Sequence, residues 1–344
     1  MLTEPAPDQP VLADPTTAAL VALNDRPWSR LRPFVTAGVL VALAVAVDQW
    51  WGSDPLVLLF VLGAGLNVIA GSHLLRLHRL NRAAAGMLAT TPWIPVEAQI
   101  LRGASGITDL RVQREDGVLA LRVFLLTAPH RVVLRRTGKV WIAGPNFDGV
   151  AAVRVEGSHM AWPARLLPDL PEQRPTSRGD QVEPTAAMAA ALRKRVNAHL
   201  VSVPVVLVVA YLIATSQGVF EPLVFASSAI AGLVVAGAAV YRTRHRLPDR
   251  ALPGLVAAGG WVAASATVDP WTPRPDGSVE ARVTLRLPDG PAAVVLLRSA
   301  SIDLLGTIGE TGGVWVTGSV VPGGVVAVGF PEYPLVAAGS VLSL

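Results

Sequence analysis

The sequence predicts membrane helices joined to small all-β domains, as a tandem duplication of a two-helix transmembrane hairpin followed by a small cytoplasmic β-barrel or sandwich. Three observations predict it. Short matches recur in order at an offset of about 170 residues. They pair Pro15-Thr16-Thr17-Ala18-Ala19 with Pro184-Thr185-Ala186-Ala187, His78-Arg79-Leu80 with His245-Arg246-Leu247, and Gly138-Lys139-Val140-Trp141 with Gly312-Gly313-Val314-Trp315. Hydrophobic residues make up 51% of the chain and charged residues 16%, with a mean hydropathy of +0.47, and the apolar residues concentrate in four blocks. Each pair of blocks precedes short Val-, Ile- and Leu-rich runs punctuated by glycine.

Residues 1–14 hold Glu4, Asp8 and Asp14 among prolines and no basic stretch, so they read as a disordered tail and not as a signal peptide. Residues 15–82 read as a juxtamembrane helix, Thr16 to Leu23, and a first transmembrane hairpin made of Phe34 to Trp51 and Leu56 to Leu75. Residues 83–167 form the first β domain, and 168–184 a Pro-rich linker. Residues 185–246 repeat the juxtamembrane helix and hairpin, with apolar stretches Leu200 to Thr215 and Leu223 to Tyr241, and 247–344 form the second β domain.

Arginines flank the apolar blocks at Arg26, Arg30 and Arg32, at Arg76, Arg79 and Arg82, and again at Arg193, Arg195, Arg242, Arg244 and Arg246, while both short hairpin loops lack Lys and Arg. The positive-inside rule then places the chain in the cell (inner) membrane with four transmembrane helices and both termini cytoplasmic. Trp50 and Trp51 read as interfacial anchors. Gly63, Asn67 and Gly71 on one block, and Ser228, Gly232 and Ala236 on another, recur at four-residue spacing, as helix packing in lipid requires.

In the first β domain, strands are expected at Val118 to Leu126, Arg131 to Leu134, Val140 to Ala143 and Val150 to Val155; in the second, at Glu280 to Leu287, Ala292 to Leu297, Val314 to Thr317 and Val325 to Val328. Five or six short strands per domain suit a small barrel or sandwich. Gly306, Gly309, Gly312 and Gly313 read as turns, and Trp141 and Trp315 as equivalent core tryptophans. Leu134-Arg135-Arg136-Thr137-Gly138-Lys139-Val140-Trp141 resembles the strand-turn-strand of the OB-fold domain in NfeD-type membrane proteins, which implies a barrel on a membrane anchor. The hairpin-plus-β-domain layout is also similar to that of tandem bacterial PH-type membrane proteins.

Cysteine is absent, which excludes disulfides and thiolate chemistry. The chain has no His-x-x-x-His spacing, no nucleophile elbow and no phosphate loop. No catalytic residue, cofactor or metal is therefore expected, and the chain is not expected to be an enzyme. Arg131, Arg135, Arg136 and Lys139 cluster in the more basic first domain and are the candidate contacts for anionic lipid or a partner. No aromatic–basic motif points to nucleic acid. The expected role is a non-catalytic scaffold or adaptor that presents two cytoplasmic β domains to a membrane or cytoplasmic protein partner or to inner-leaflet lipid. A small transporter or channel component using the helices is the alternative.

Overall fold

The computed structural model describes all residues except 1, 3, 25–26, 52–53, 105, 174–181, 199, 201–232, 234–236, 238–239, 242, 275 and 289. It divides into a barrel unit, Met1–Asp25, Leu80–Lys194 and His245–Leu344, and a helical unit, Arg26–Arg79 and Arg195–Arg244.

The barrel unit holds two closed six-stranded antiparallel barrels, one per copy of the repeat. The first uses β1 (Ile94–Ala104), β2 (Ile107–Arg114), β3 (Gly117–Phe124), β4 (Lys139–Ala143), β5 (Val150–Val155) and β6 (Trp162–Leu166), in the spatial order β1-β2-β3-β6-β5-β4. The second uses β7 (Val262–Val268), β8 (Ser278–Arg286), β9 (Ala292–Ser301), β10 (Gly313–Gly318), β11 (Val325–Phe330) and β12 (Leu335–Ser343) in the same order. Placing the fourth strand beside the first makes each barrel a Greek key. Closure has the same register in both: Ile94 pairs with Ile142, and Val262 with Val316. Full closure removes the free sheet edges that invite aggregation.

Alternation fills each interior. Leu110, Val112, Leu121, Val123, Val140, Ile142 and Val153 point into the first barrel with no exposed surface. One amphipathic helix closes each barrel between its third and fourth strands: α4 (Ala128–Thr137) through Val133 and Leu134, and its equivalent Ile302–Thr311 through Leu304, Leu305 and Ile308. Both helices end on a left-handed glycine, Gly138 and Gly312, each with φ of 63°.

These helices correct two sequence readings. Arg131 to Leu134 lies in a helix, not a strand, because a run of three apolar residues does not by itself distinguish the two. Gly306 and Gly309 lie inside a helix as well. The resemblance to an OB-fold strand-turn-strand therefore falls on a helix, its cap and a strand, in a barrel with six strands and not five.

The expected disordered tail and the first juxtamembrane helix also differ from the structure. Pro10 bridges to Pro92, and Val11 N donates to Thr91 O at 3.1 Å. The helix α1 (Pro15–Asn24) buries Thr16, Thr17 and Leu20 in the barrel unit, with Leu20 in the core cluster of the second barrel. The second such stretch forms a helix over 184–198, here α5, whose Ala189, Met188 and Leu192 cover Ala327, Val336 and Ala338 on the outside of the second barrel.

In the helical unit, α2 (Pro27–Trp51) and α3 (Asp54–Leu88) pack closely where glycine allows it. Leu40 sits over Gly63, and the Phe34 ring over Gly71, where an added Cβ would lie 3.3 Å and 2.8 Å from them. Asn67 Nδ2 donates to Gly63 O of its own helix at 2.8 Å. Ser228, Gly232 and Ala236 lie outside the described residues, as do most of the two later apolar stretches, and the side chains of Trp50 and Trp51.

The four-helix membrane domain, and with it the placement in the inner membrane with four spans and both termini cytoplasmic, is corrected. Among the described residues one helix is long and apolar enough to cross a membrane, α3 over Phe60–Leu88. Among the described residues α2 contributes a shorter apolar stretch, Pro33–Ala46.

Candidate functional site

The two barrels meet through reciprocal contacts that follow from the duplication. The β5–β6 hairpin turns at Gly157, with φ of 74°, and the β11–β12 hairpin turns at the equivalent Glu332, with φ of 68°. Each hairpin reaches the closing helix of the other barrel. From the first, Ser158 Oγ and His159 N each donate to the Asp303 carboxylate at 2.5 Å. From the second, Glu332 pairs with Arg136 of α4 at 2.8 Å, and the Arg136 guanidinium stacks 5.0 Å from the Tyr333 ring centroid. The hairpins touch where Tyr333 OH donates to Glu156 at 2.7 Å. Burial, together with that acceptor, pushes the Tyr333 phenol up to about 12.

The copies diverge at this seam, and on one side of it five ionisable groups, Asp14, Arg154, His159, Asp303 and Glu310, come together. Asp14 opens α1: one carboxylate oxygen accepts Thr16 N at 2.9 Å, and the other accepts Thr17 Oγ1 at 2.7 Å. That second oxygen lies 3.0 Å from His159 Nδ1 and 3.4 Å from Arg154 Nη1. His159 Nδ1 is also 3.6 Å from Glu310 Oε1. Strand register puts Gly329 of the second barrel where Arg154 stands in the first, since Trp141 pairs with Arg154 and Trp315 with Gly329. Counting from the helix caps puts Arg136 at the place of Glu310 and Pro129 at that of Asp303.

Burial sets the charge state of this cluster. It pushes the Asp303 carboxyl up, and the neighbouring His159 and Arg154 only partly offset it. It pushes Asp14 up too, but the hydrogen bonds from His159 and Thr17 outweigh this and hold Asp14 below the ordinary carboxylate range. The buried Arg154 is pulled below its usual value, against the attraction of Asp14, Asp303 and Glu310. A cavity of about 260 Å³ adjoins the cluster, lined by Asp14, Arg154, Glu310, Glu4 and Trp93. Trp93 is 3% exposed, and its Nε1 has no hydrogen-bond partner among the described residues.

A second concavity lies at the edge of the second barrel. It measures about 390 Å³ and is lined by Leu2, Trp315, Phe330, Pro331 and Tyr333. Both tryptophans point outward between inward valines or isoleucines, so neither fills a barrel interior. Trp141 is covered by Val11, Leu88 and Trp93 and is 8% exposed, whereas Trp315 is 37% exposed and packs edge-to-face on Phe330.

The four basic residues singled out in the sequence do not form one face. Arg131 is buried and donates to Ala104 O and Leu126 O at 3.2 Å, bracing the end of the first barrel. Arg135 is half-buried on the last turn of α4, Arg136 is engaged by Glu332, and Lys139 is exposed at the start of β4. Sequence reasoning missed Asp14, Arg154, His159, Asp303 and Glu310. The available signal was the duplication itself, because four of these five replace a residue of different chemistry in the other copy. Comparison with known protein families, curated proteins and solved structures finds no match to this chain.

Proposed function

We propose that the protein is a non-catalytic scaffold that attaches to a lipid bilayer through α3 and presents its fastened pair of barrels to a protein partner. The observation that carries this reading is the unequal treatment of the two equivalent tryptophans. One is sealed under the protein's own residues, and the other is left open in an apolar, aromatic recess. A partly exposed Trp beside Phe and Tyr has the composition of an interface anchor pocket. The recess already receives Leu2 from the chain's own N-terminal segment, so its shape suits an apolar side chain on a peptide.

Attachment to lipid is supported by the surface of the helical unit. Leu58, Leu62, Leu66 and Ile69 of α3 are each 59–69% exposed, and α2 adds Val35, Val39 and Val45. Exposed apolar side chains grouped on one element are the mark of a membrane or protein contact. The test replaces Trp315 with a photoreactive benzoyl-phenylalanine in intact cells, with the same replacement at Trp141 as the control. A protein adduct of discrete mass at position 315 and none at 141 is expected. Adducts absent from both positions, or the same at both, would falsify the presentation of this recess.

A further inference from the structure

We infer that Asp14, His159 and Glu310 form a binding site for one divalent transition-metal ion, with zinc the best match, and that the ion cross-links the two barrels. This goes beyond the scaffold reading and does not depend on it.

The three side chains offer one imidazole nitrogen and two carboxylate oxygens, all within 4.8 Å of one another. Two of the separations, 3.0 and 3.6 Å, bracket the spacing of neighbouring ligands around a tetrahedral ion with bonds of about 2.0–2.1 Å. His159 Nδ1 faces both carboxylates, so it must present either a proton or a metal ion to them. Imidazole with carboxylate suits zinc better than the hard cations, which take oxygen alone.

Three further observations point the same way. The residues come from α1, the β5–β6 hairpin and the closing helix of the second barrel, elements already held in place by Thr17 on His159 O at 2.8 Å and by Asp303 on the His159 amide. Ligands fixed in advance lose little freedom on binding. The carboxylates of Asp14, Glu310 and Asp303 balance the charge of Arg154 plus a divalent ion. With only three protein ligands, a fourth position remains, and a cavity lined by Asp14 and Glu310 adjoins it with room for a water or small anion.

The test uses the full chain without an affinity tag, in detergent, stripped with a chelator and dialysed against zinc at micromolar concentration. Uptake of one ion per chain is expected, with visible cobalt absorption when cobalt replaces zinc and a rise in unfolding temperature on zinc addition. His159→Asn and Glu310→Gln should each weaken binding by at least about 100-fold, since even the groups that merely orient a ligand are worth 10–100-fold. His73→Asn, on α3, should leave it unchanged. Glu310 is partly exposed, so its variant decides the matter even where the His159 variant unfolds. No stoichiometric uptake, or uptake equal in both ligand variants and the parent, overturns the inference.

Discussion

At the scale of the residue, single positions in the seam carry effects that their sequence context does not announce. Gly157 combines a φ of 74° with a neighbour that leaves no room: an added Cβ would fall on the Tyr333 ring and 2.8 Å from Leu2. Gly157→Ala is expected to lower stability by about 2–4 kcal/mol, from overpacking and the strained backbone together. Chemical denaturation of the two proteins checks this. His130 shows how burial writes a pH dependence. It lies against Trp162, with ring centroids 4.6 Å apart, and burial pulls its imidazole from 6.5 down to about 3. The unfolded chain takes up this proton near 6.5, but the native chain does so only near 3. The native state therefore loses stability as pH falls through that window, and gains none above it. Asp14 and Asp276, held low in the folded state, extend the loss below 3.8, whereas Asp303, pushed up, acts in the opposite sense above 3.8. His130→Gln should flatten the decline in unfolding temperature between pH 6.5 and 4. An unchanged slope would assign that decline to other groups.

At the scale of the element, the helices were less legible than the strands. Strand positions such as Val140 to Ala143 and Val150 to Val155 agree with β4 and β5, because alternating branched residues between turn glycines admit few other readings. The helix Ile302–Thr311 was obscured by Gly306 and Gly309, each costing about 1 kcal/mol against alanine in a helix. Gly306 stands where the Thr16 side chain of α1 packs too closely for any Cβ, so tertiary packing overrides the local preference. The reciprocal hairpin–helix contacts give a prediction at this scale. The Arg136–Glu332 pair is substantially exposed, so Arg136→Glu should cost only about 0.5–1 kcal/mol, including the loss of the Tyr333 stack. Adding Glu332→Arg should restore part of this. A double-mutant cycle measures the coupling, and a coupling of zero would mean that the pair does not fasten the hairpin.

At the scale of the whole molecule, the barrel unit behaves as a dimer written into one chain. The contacts are exchanged in both directions, as in a two-fold interface between identical subunits. The two halves are not identical, however: one side of the seam holds the Asp14–His159–Glu310 cluster and the other an open tryptophan. The helical unit poses a different question, namely what solvent its apolar surface meets. Leu66→Arg discriminates. At the centre of a bilayer-embedded helix it should cost about 2.5–3.5 kcal/mol and reduce co-flotation with phosphatidylcholine vesicles. At a water-exposed position it should change stability by no more than about 0.5 kcal/mol and leave flotation unaltered.

The sequence by itself determined the duplication, the β character of both domains and the chemistry closed to a chain without cysteine. These are properties of local pattern and composition, and a repeat preserves them even as its copies diverge. Tertiary structure alone decided that residues 10–24 belong to the barrel unit and that Arg131 is an internal brace. It alone brought Asp14, Arg154, His159, Asp303 and Glu310 together. Those residues are scattered from the first turn of the chain to the last helix. Hydrogen bonding and desolvation act over a few ångströms in space, so their partners are set by how two barrels close on each other, not by spacing along the chain.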